Sequence, residues 1–378
     1  MKVLHVYRTY FPDPPGGLQE AIRQICLATS SFGVESTVFT LSPQPDPKRL
    51  MRPEAVTVRS RSWAAPASCD LGGADALMEF YRLQKSADVV HLHFPWPFAD
   101  VLNLFKASDK PAVMTYHSDI VRQQVLNRLY GPLMRRTMRA MSAVVATSPT
   151  YAKTSSVLTR DVPSGRLRTI PLGIVDKSEA APGFMGQPAC MDYAAHKPFV
   201  LALGVLRYYK GLHTLVHAAR QINGNIVIAG SGPEDANLKE LARQLGVTNI
   251  VFAGQVTDAQ KTELLHQCTA LVLPSHLRSE AFGMVLVEAA MFSKPMVCCE
   301  VGSGTSYVNL DGVTGLVVPP ESPSELASAC NRILEDSVLA KAMGIAARAR
   351  YENLFSGVAL GRAYSDLYRE VRLASVSK

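Results

Sequence analysis

No apolar run in this 378-residue sequence is long enough to cross a bilayer, which takes about 20 residues of helix. That excludes a helical membrane-spanning protein. Met1 and Lys2 lead straight into an apolar stretch at 3–7, so no secretory signal is expected. Seven cysteines include no C-x-x-C pair, and an odd number without such pairs reads as reduced thiols in a cytoplasmic protein. The adjacent Cys298 and Cys299 read as packing in a buried strand. The dinucleotide fingerprint G-x-G-x-x-G is missing. So is any D-x-D motif, which fits chemistry without a metal ion. Acidic residues are scarce in the first half: residues 1–178 hold 22 Lys and Arg against 14 Asp and Glu, a net +8, whereas the remainder holds 17 against 18. Such an excess points to an anionic partner: nucleic acid, a membrane surface or a phosphorylated substrate.

What is present describes a globular enzyme. Hydrophobic residues make up 47% and charged residues 19%, and 378 residues are more than one core usually serves, so two domains are expected. Strand-like runs at 3–7, 36–41, 55–59, 88–93, 112–116, 143–146 and 167–170 alternate with helical segments such as 18–32. A Pro-, Gly- and Ala-rich stretch at 172–197 reads as a linker. Alternation resumes with strands at 198–204, 225–229, 250–253, 270–273, 295–299 and 313–318, and helices at 322–335, 337–351 and 358–373. The fold class is therefore α/β, two doubly wound Rossmann-like domains facing across a cleft. The first spans 1–175, with a C-terminal helix at 356–378 crossing back onto it, and the second spans 196–355. Ligands of such sheets bind beyond the carboxyl ends of the strands.

Residues 274–288, P-S-H-L-R-S-E-A-F-G-M-V-L-V-E, organise the second domain. They follow a strand and enter a helix. The turn Phe282-Gly283 and the amides of Gly283, Met284 and Val285 stand at a helix start that can bind a phosphate. Glu280 and Glu288 flank it, and carboxylates accept strong hydrogen bonds from sugar hydroxyls. That layout suits a nucleotide sugar. The loop 204–211, G-V-L-R-Y-Y-K-G, places Arg207 and Lys210 where a guanidinium fork and a point charge would suit a diphosphate. A-G-S-G-P at 229–233, with Gly232, and the Gly16-Gly17 pair are further loops between strand and helix. Two histidine motifs sit at strand ends: D-V-V-H-L-H-F-P-W-P-F-A-D at 88–100 and T-Y-H-S-D at 115–119. His91, His93 and His117 have no nearby Cys or carboxylate to complete a zinc pattern, so no metal site is expected. Residues 120–143 carry Arg122, Arg128, Arg135, Arg136 and Arg139 among apolar residues and read as two basic amphipathic helices, broken at Gly131-Pro132.

Glu280 and Glu288, with the seven residues A-F-G-M-V-L-V between them, resemble the E-x7-E motif of retaining glycosyltransferases of family 4, which have the GT-B fold. The resemblance implies that Glu280 contacts the transferred sugar and Glu288 the ribose. It implies that His117 lies near the reacting centre of the donor sugar, that Gly16 and Gly17 face the donor phosphates, and that Gly232 lies near the base and ribose. Lys210 matches the family's Lys-Gly. The usual Arg position is Val205 here, and Arg207, two residues on, is expected to take its phosphate role. G-S-G-T-S at 302–306 departs from the common Gly-Gly-Pro character and resembles members that use GDP-linked mannose or a 6-deoxy relative. The implied reaction is a front-face, retaining, metal-independent transfer in which the departing phosphate takes the acceptor proton. The implied partners are a GDP-sugar and a polyprenyl-diphosphate-linked glycan for a bacterial surface polysaccharide, met at the inner face of the cytoplasmic membrane, and not nucleic acid. Two other classes share the architecture: a sugar-nucleotide epimerase and a non-catalytic sugar-binding protein. The H-x-H-x-P-x-P motif at 91–97 and the basic helices favour an acceptor site, which neither alternative needs.

Overall fold

The computed structural model describes residues 1–13, 16–66, 69–107, 109–119, 124–179 and 198–376. The chain divides into two compact units, Met1–Val175 with Ser356–Lys378, and Asp176–Phe355.

In the first unit the strands are β1 (Lys2–Val6), β2 (Glu35–Ser42), β3 (Arg49–Met51), β4 (Val56–Ala64), β5 (Leu71–Gly72), β6 (Val89–Phe94), β7 (Ala112–Tyr116), β8 (Ala143–Ala146) and β9 (Leu167–Thr169). Their order is β3-β4-β2-β1-β6-β7-β8-β9, with β5 beside β4. β6, β7 and β8 are buried along their whole length, as strands covered by helices on both faces must be. The helix Gly17–Ser30 opens with Gly16 as its N-cap and buries Ala21, Ile22, Ile25 and Ala28. The final helix, Gly357–Val376, returns to this unit, where Leu360, Tyr364, Leu367, Tyr368 and Val371 join the core formed by Val3, Val89, Val113 and Val145.

The second unit holds β10 (Phe199–Leu203), β11 (Asn225–Ala229), β12 (Ile250–Gly254), β13 (Ala270–Leu273), β14 (Met296–Cys299) and β15 (Gly315–Val318). All pair in parallel, in the order β12-β11-β10-β13-β14-β15. Strand order reverses between β10 and β13. In an open parallel sheet that reversal opens a crevice at the carboxyl ends, where ligands bind. The loops leaving β10 and β13 are 204–211 and 274–283, the two that carry the expected charged residues.

Three expectations are corrected. Strands β3 and β5 run antiparallel to β4, so the first sheet is mixed rather than purely parallel; both are too short to show a pattern in sequence. The expected pair of basic helices is one helix, Gln124–Ala140, that runs through Pro132. A proline removes one backbone donor, but buried Met134, Thr137 and Met138 hold the following turn in place. Arg122 lies outside the described residues. The start of the expected linker is packed: Leu172 and Ile174 are buried in the first unit, and Asp176 and Ser178 are bound by Arg348 in the second at 2.6 and 3.0 Å. The rest of that linker, 180–197, lies outside the described residues. Tyr351–Phe355 forms a π-helical turn between the last two helices. Among the described residues, no helix is long and apolar enough to cross a membrane. Cys298 and Cys299 are core residues of β14, and burial pushes both thiols up to about 12.

Candidate functional site

In the second unit, three loops are pressed together at the ends of β10, β11 and β13. Gly211 sits at φ +65°, and a Cβ there would lie 2.1 Å from the carbonyl oxygen of Pro274. A Cβ on Gly232 would lie 2.5 Å from the carbonyl oxygen of Leu206. Only glycine permits either approach. The amides of Leu206 and Glu234 then stitch the first two loops through Ser231 and Leu206 carbonyls, 3.0 and 3.1 Å.

That packing brings Lys210 to Glu280. Nζ lies 2.8 Å from Oε2, and each side chain is 11% exposed. Burial acts most strongly, to lower the Lys210 pKa, but Glu280 together with Tyr209 and Glu288 outweighs it and the net shift is upward, so Lys210 stays charged. Glu280 is held from two more directions. Ser275 Oγ lies 3.4 Å from Oε2, and Ser303 Oγ donates to the Glu280 carbonyl at 2.6 Å. The loop 302–306 is thus fastened to the Glu280 turn, with the Gly304 amide bonded to Ala281 O at 2.8 Å.

Gly283 caps the helix Met284–Met291 at φ +85° and has no side chain to satisfy the first amides. The helix start at Met284 and Val285 is partly exposed, whereas the Phe282 ring is buried edge-on against Phe355, 6.0 Å between centroids. Only the backbone of Phe282 is therefore available to a ligand; its ring belongs to the core. Glu288, in the second turn, pairs with Lys261 at 2.8 Å. Arg207 is exposed, and its side chain makes no hydrogen bond or ion pair among the described residues; its backbone bonds Val205 and Lys210 within the loop. A buried Lys–Glu pair, an exposed arginine and open helix amides form a cationic surface around a carboxylate. It can take a diphosphate and orient hydroxyls beside it.

In the first unit, Gly16 has extended backbone and offers no side-chain cap to the helix it opens. His117 follows β7 and is buried, with Nε2 3.1 Å from His93 Nδ1. Burial pushes the His117 pKa down to about 3, so its ring is neutral.

The structure brings together Lys210, Glu280 and the 283–285 turn, and places Gly232 against the same loop. Gly16, Gly17 and His117 belong to the other unit. Lys261, Ser275, Ser303 and His5 were not singled out in the sequence. Lys261 had no local signal, because its partner is 27 residues away on another helix. His5 had one: a histidine inside an otherwise apolar strand.

The family model described as Glycosyl transferases group 1 matches residues 193–350, and that described as Glycosyltransferase Family 4 matches residues 15–177. The chain is similar to the D-rhamnosyltransferase WbpZ of Pseudomonas aeruginosa, 42% identical over 356 residues, covering 94% of this chain and 92% of the relative. It is similar to the O-antigen chain mannosyltransferase C of Escherichia coli, 36% identical over 368 residues, covering 97% and 98%. Among solved structures, sucrose-phosphate synthase from Thermosynechococcus elongatus matches with a TM-score of 0.79 at 23% identity, covering 99% of each chain. That likeness shows a shared GT-B fold.

Proposed function

Because this chain belongs to the group 1 and family 4 glycosyltransferases, we propose that it moves a manno-configured hexose, mannose or its 6-deoxy relative D-rhamnose, from a GDP-linked donor to a lipid-linked glycan of a bacterial surface polysaccharide. One observation carries this reading: two relatives that match nearly the whole chain are named for transfer of D-rhamnose and of mannose, and these sugars differ only at C6.

The chemistry follows from the second unit's charges. The diphosphate binds against Lys210, Arg207 and the amides of Gly283, Met284 and Val285. Negative charge grows on the leaving phosphate as the sugar–oxygen bond breaks, and these fixed donors stabilise it in the transition state. No metal ion is required by this clamp. Lys210 shares its ammonium between Glu280 and the phosphate. Glu280 accepts hydrogen bonds from the transferred sugar, Glu288 from the ribose, and Gly232 approaches the nucleoside. His117 contacts the sugar. The acceptor hydroxyl attacks from the face the phosphate leaves, its proton passes to a departing phosphate oxygen, and the anomeric configuration is retained. The lipid-linked acceptor places the enzyme at the inner face of the cytoplasmic membrane.

The test is a donor panel. The protein is incubated with UDP-, GDP- and ADP-sugars and a bacterial lipid extract, with and without EDTA, and the anomeric configuration of the product is read by NMR. The expected result is transfer from a GDP-manno sugar to lipid, with retention and no response to EDTA. Consumption of a donor without transfer, as an epimerase or hydrolase would give, overturns the reading. Loss of activity in EDTA that magnesium or manganese restores overturns the metal-free clamp.

A further inference from the structure

His117 ends a line of buried hydrogen bonds. Its Nε2 lies 3.1 Å from His93 Nδ1, His93 Nε2 lies 3.1 Å from His5 Nδ1, and His5 Nε2 lies 3.5 Å from Ser36 Oγ. The line is a product of register. His5 pairs with His91 across β1 and β6, and His93 pairs with Thr115 across β6 and β7. Side chains two apart on a strand share a face, so residues 5, 91, 93 and 115 project to one side of the sheet, and His117, just past β7, meets His93 there. His91 does not compete for the line. Its Nδ1 lies 2.8 Å from the Tyr368 hydroxyl and its Nε2 2.7 Å from Thr115 Oγ1, which in turn meets the Tyr364 hydroxyl at 2.8 Å.

Burial holds every ring in the line neutral. It pushes His5 and His117 down to about 3, and His93 well below its ordinary range. A neutral imidazole has one N–H and one lone pair. The two links of His93 must therefore run in the same direction, and so must those of His5. Only two arrangements avoid facing two N–H groups or two lone pairs across a buried 3.1 Å contact. In one, Ser36 donates to His5, His5 to His93, and His93 to His117 Nε2, so His117 Nδ1 bears the proton. In the other, His117 Nε2 donates inward, every link reverses, and Nδ1 presents a lone pair.

We infer that Ser36, His5 and His93 are positioning residues that lock the tautomer of His117, so that what its Nδ1 offers a ligand is set by which way a hydroxyl three hydrogen bonds away points. The consequence for transfer rests on the contact between His117 and the sugar; the lock itself does not. A sugar hydroxyl meets a ring nitrogen with one fixed role, donor or acceptor, instead of an exchanging mixture.

The test is spectroscopic. In full-length protein labelled with [15N]histidine, the ring nitrogen shifts report whether each nitrogen carries a proton. Wild type is expected to show His117 as one tautomer. His5→Asn keeps a hydrogen-bonding atom near the position of Nδ1 but can flip its amide, and it does not touch His117. It is expected to turn His117 into a mixture of both forms. Ser36→Ala is the milder variant if His5→Asn does not fold. It removes the only acceptor for His5 Nε2–H in the line, and a buried N–H without an acceptor is the costlier orphan. Ser36→Ala must therefore show His117 in the Nδ1–H form, whichever form wild type shows. A tautomeric mixture at His117 in wild type, an unchanged single form in His5→Asn, or the Nε2–H form in Ser36→Ala would each overturn the lock. So would a stoichiometric metal ion on His5, His91 and His93, whose ligand atoms lie within 4.8 Å of one another. His117→Ala, assayed with the donor panel, separates the two readings. Unimpaired transfer removes His117 from the sugar while the lock stands. Lost transfer with a negative spectrum removes the lock alone.

Discussion

Two polar clusters, one in each unit, are built on opposite principles. The cluster at the ends of β10 and β13 uses full charges: Lys210 against Glu280, Lys261 against Glu288, and Arg207 without an ion-pair partner among the described residues. The cluster on the face of β1, β6 and β7 uses none. Its His5, His91, His93, Thr115, His117, Tyr364 and Tyr368 are buried, and burial keeps the rings neutral. The difference teaches what each is for. A charged pair that is largely dehydrated is a poor source of stability, since desolvation offsets most of the attraction. In the proposed reading an ionic ligand repays that cost. A neutral network costs little to bury when every group is satisfied, and it fixes geometry and proton position.

The largest expected effect breaks the charged cluster. Lys210→Ala should lower transfer by about 10²- to 10³-fold, as loss of a donor to developing charge does. It should also destabilise the second unit, because Glu280 is left buried without its partner. The double variant Lys210→Met with Glu280→Gln separates the two effects. Thermal unfolding should return close to wild type while transfer stays lost. If the double variant regains transfer, the pair is structural and the clamp assignment is wrong. Glu280→Ala alone should depress kcat more than it raises donor KM, since a contact that tightens in the transition state acts on turnover. A raised donor KM with kcat unchanged would indicate uniform binding instead.

Acid breaks the neutral cluster. His5 and His117 have folded pKa values lowered from 6.5 to about 3. Between those values the unfolded chain binds protons that the folded chain does not. Their contribution is therefore fully present above pH 6.5 and is lost as pH falls toward 3. At pH 5 the loss is about 2 kcal/mol for each such histidine. Urea unfolding at pH 7 and pH 5, a range above most carboxylate titration, should show the first unit weakening with acid. His117→Gln should weaken less, because its side chain has no proton to take up. An equal drop in wild type and variant would show that His117 is not held neutral by burial.

These clusters differ in how far they could be read from sequence. The charged cluster was legible because its residues sit in two short loops, each between an apolar strand and a helix. Gly211 and Gly283 mark the turns, and sheet topology brings the loops together. Lys261 was not legible, because nothing near it announces a partner on another helix. In the neutral cluster His91, His93 and His117 stood out as motifs, but the line joining His93 to His117 and to His5 depends on strand register. Register is a property of neighbouring strands, which can lie far apart in sequence: His5 on β1 and His93 on β6 are 88 residues apart. The short edge strands β3 and β5 were missed for want of length, and helix propensity through Pro132 was underestimated because the buried face after it carries the helix on.

A smaller effect should sharpen the role of Glu288. Its pairing with Lys261 is half-exposed, so the pair itself contributes at most about 1 kcal/mol to stability. In the proposed reading its value lies in accepting ribose hydroxyls. Glu288→Ala should raise the donor Kd about tenfold, the loss of one or two hydrogen bonds to a charged acceptor, with the melting temperature nearly unchanged. Calorimetric titration with GDP alone checks it, since the ribose is present without the sugar. An unchanged Kd removes Glu288 from the nucleotide.

The smallest expected effect per residue concerns the helix Gln124–Ala140. Its buried side carries Met134, Thr137 and Met138, while Arg136 and Arg139 are exposed and Arg135 is partly so. The cations thus face away from the core, as binding to an anionic surface requires. Each basic residue near such a surface is worth about 1 kcal/mol at best, and salt screens it. Three together would hold the protein on a bilayer reversibly, without a spanning helix, beside a lipid-linked acceptor. Co-sedimentation with vesicles of zwitterionic lipid, alone or doped with anionic lipid, checks this. Binding should rise with the anionic fraction, fall with added salt, and weaken when Arg135, Arg136 and Arg139 are changed to Gln. The transfer rate on a soluble acceptor analogue should not change, because none of the three belongs to the donor site. If wild type and the triple variant bind anionic vesicles equally, or neither binds, the helix is a solvated face and the proposed membrane location loses its physical basis, while the donor chemistry of the second unit is untouched.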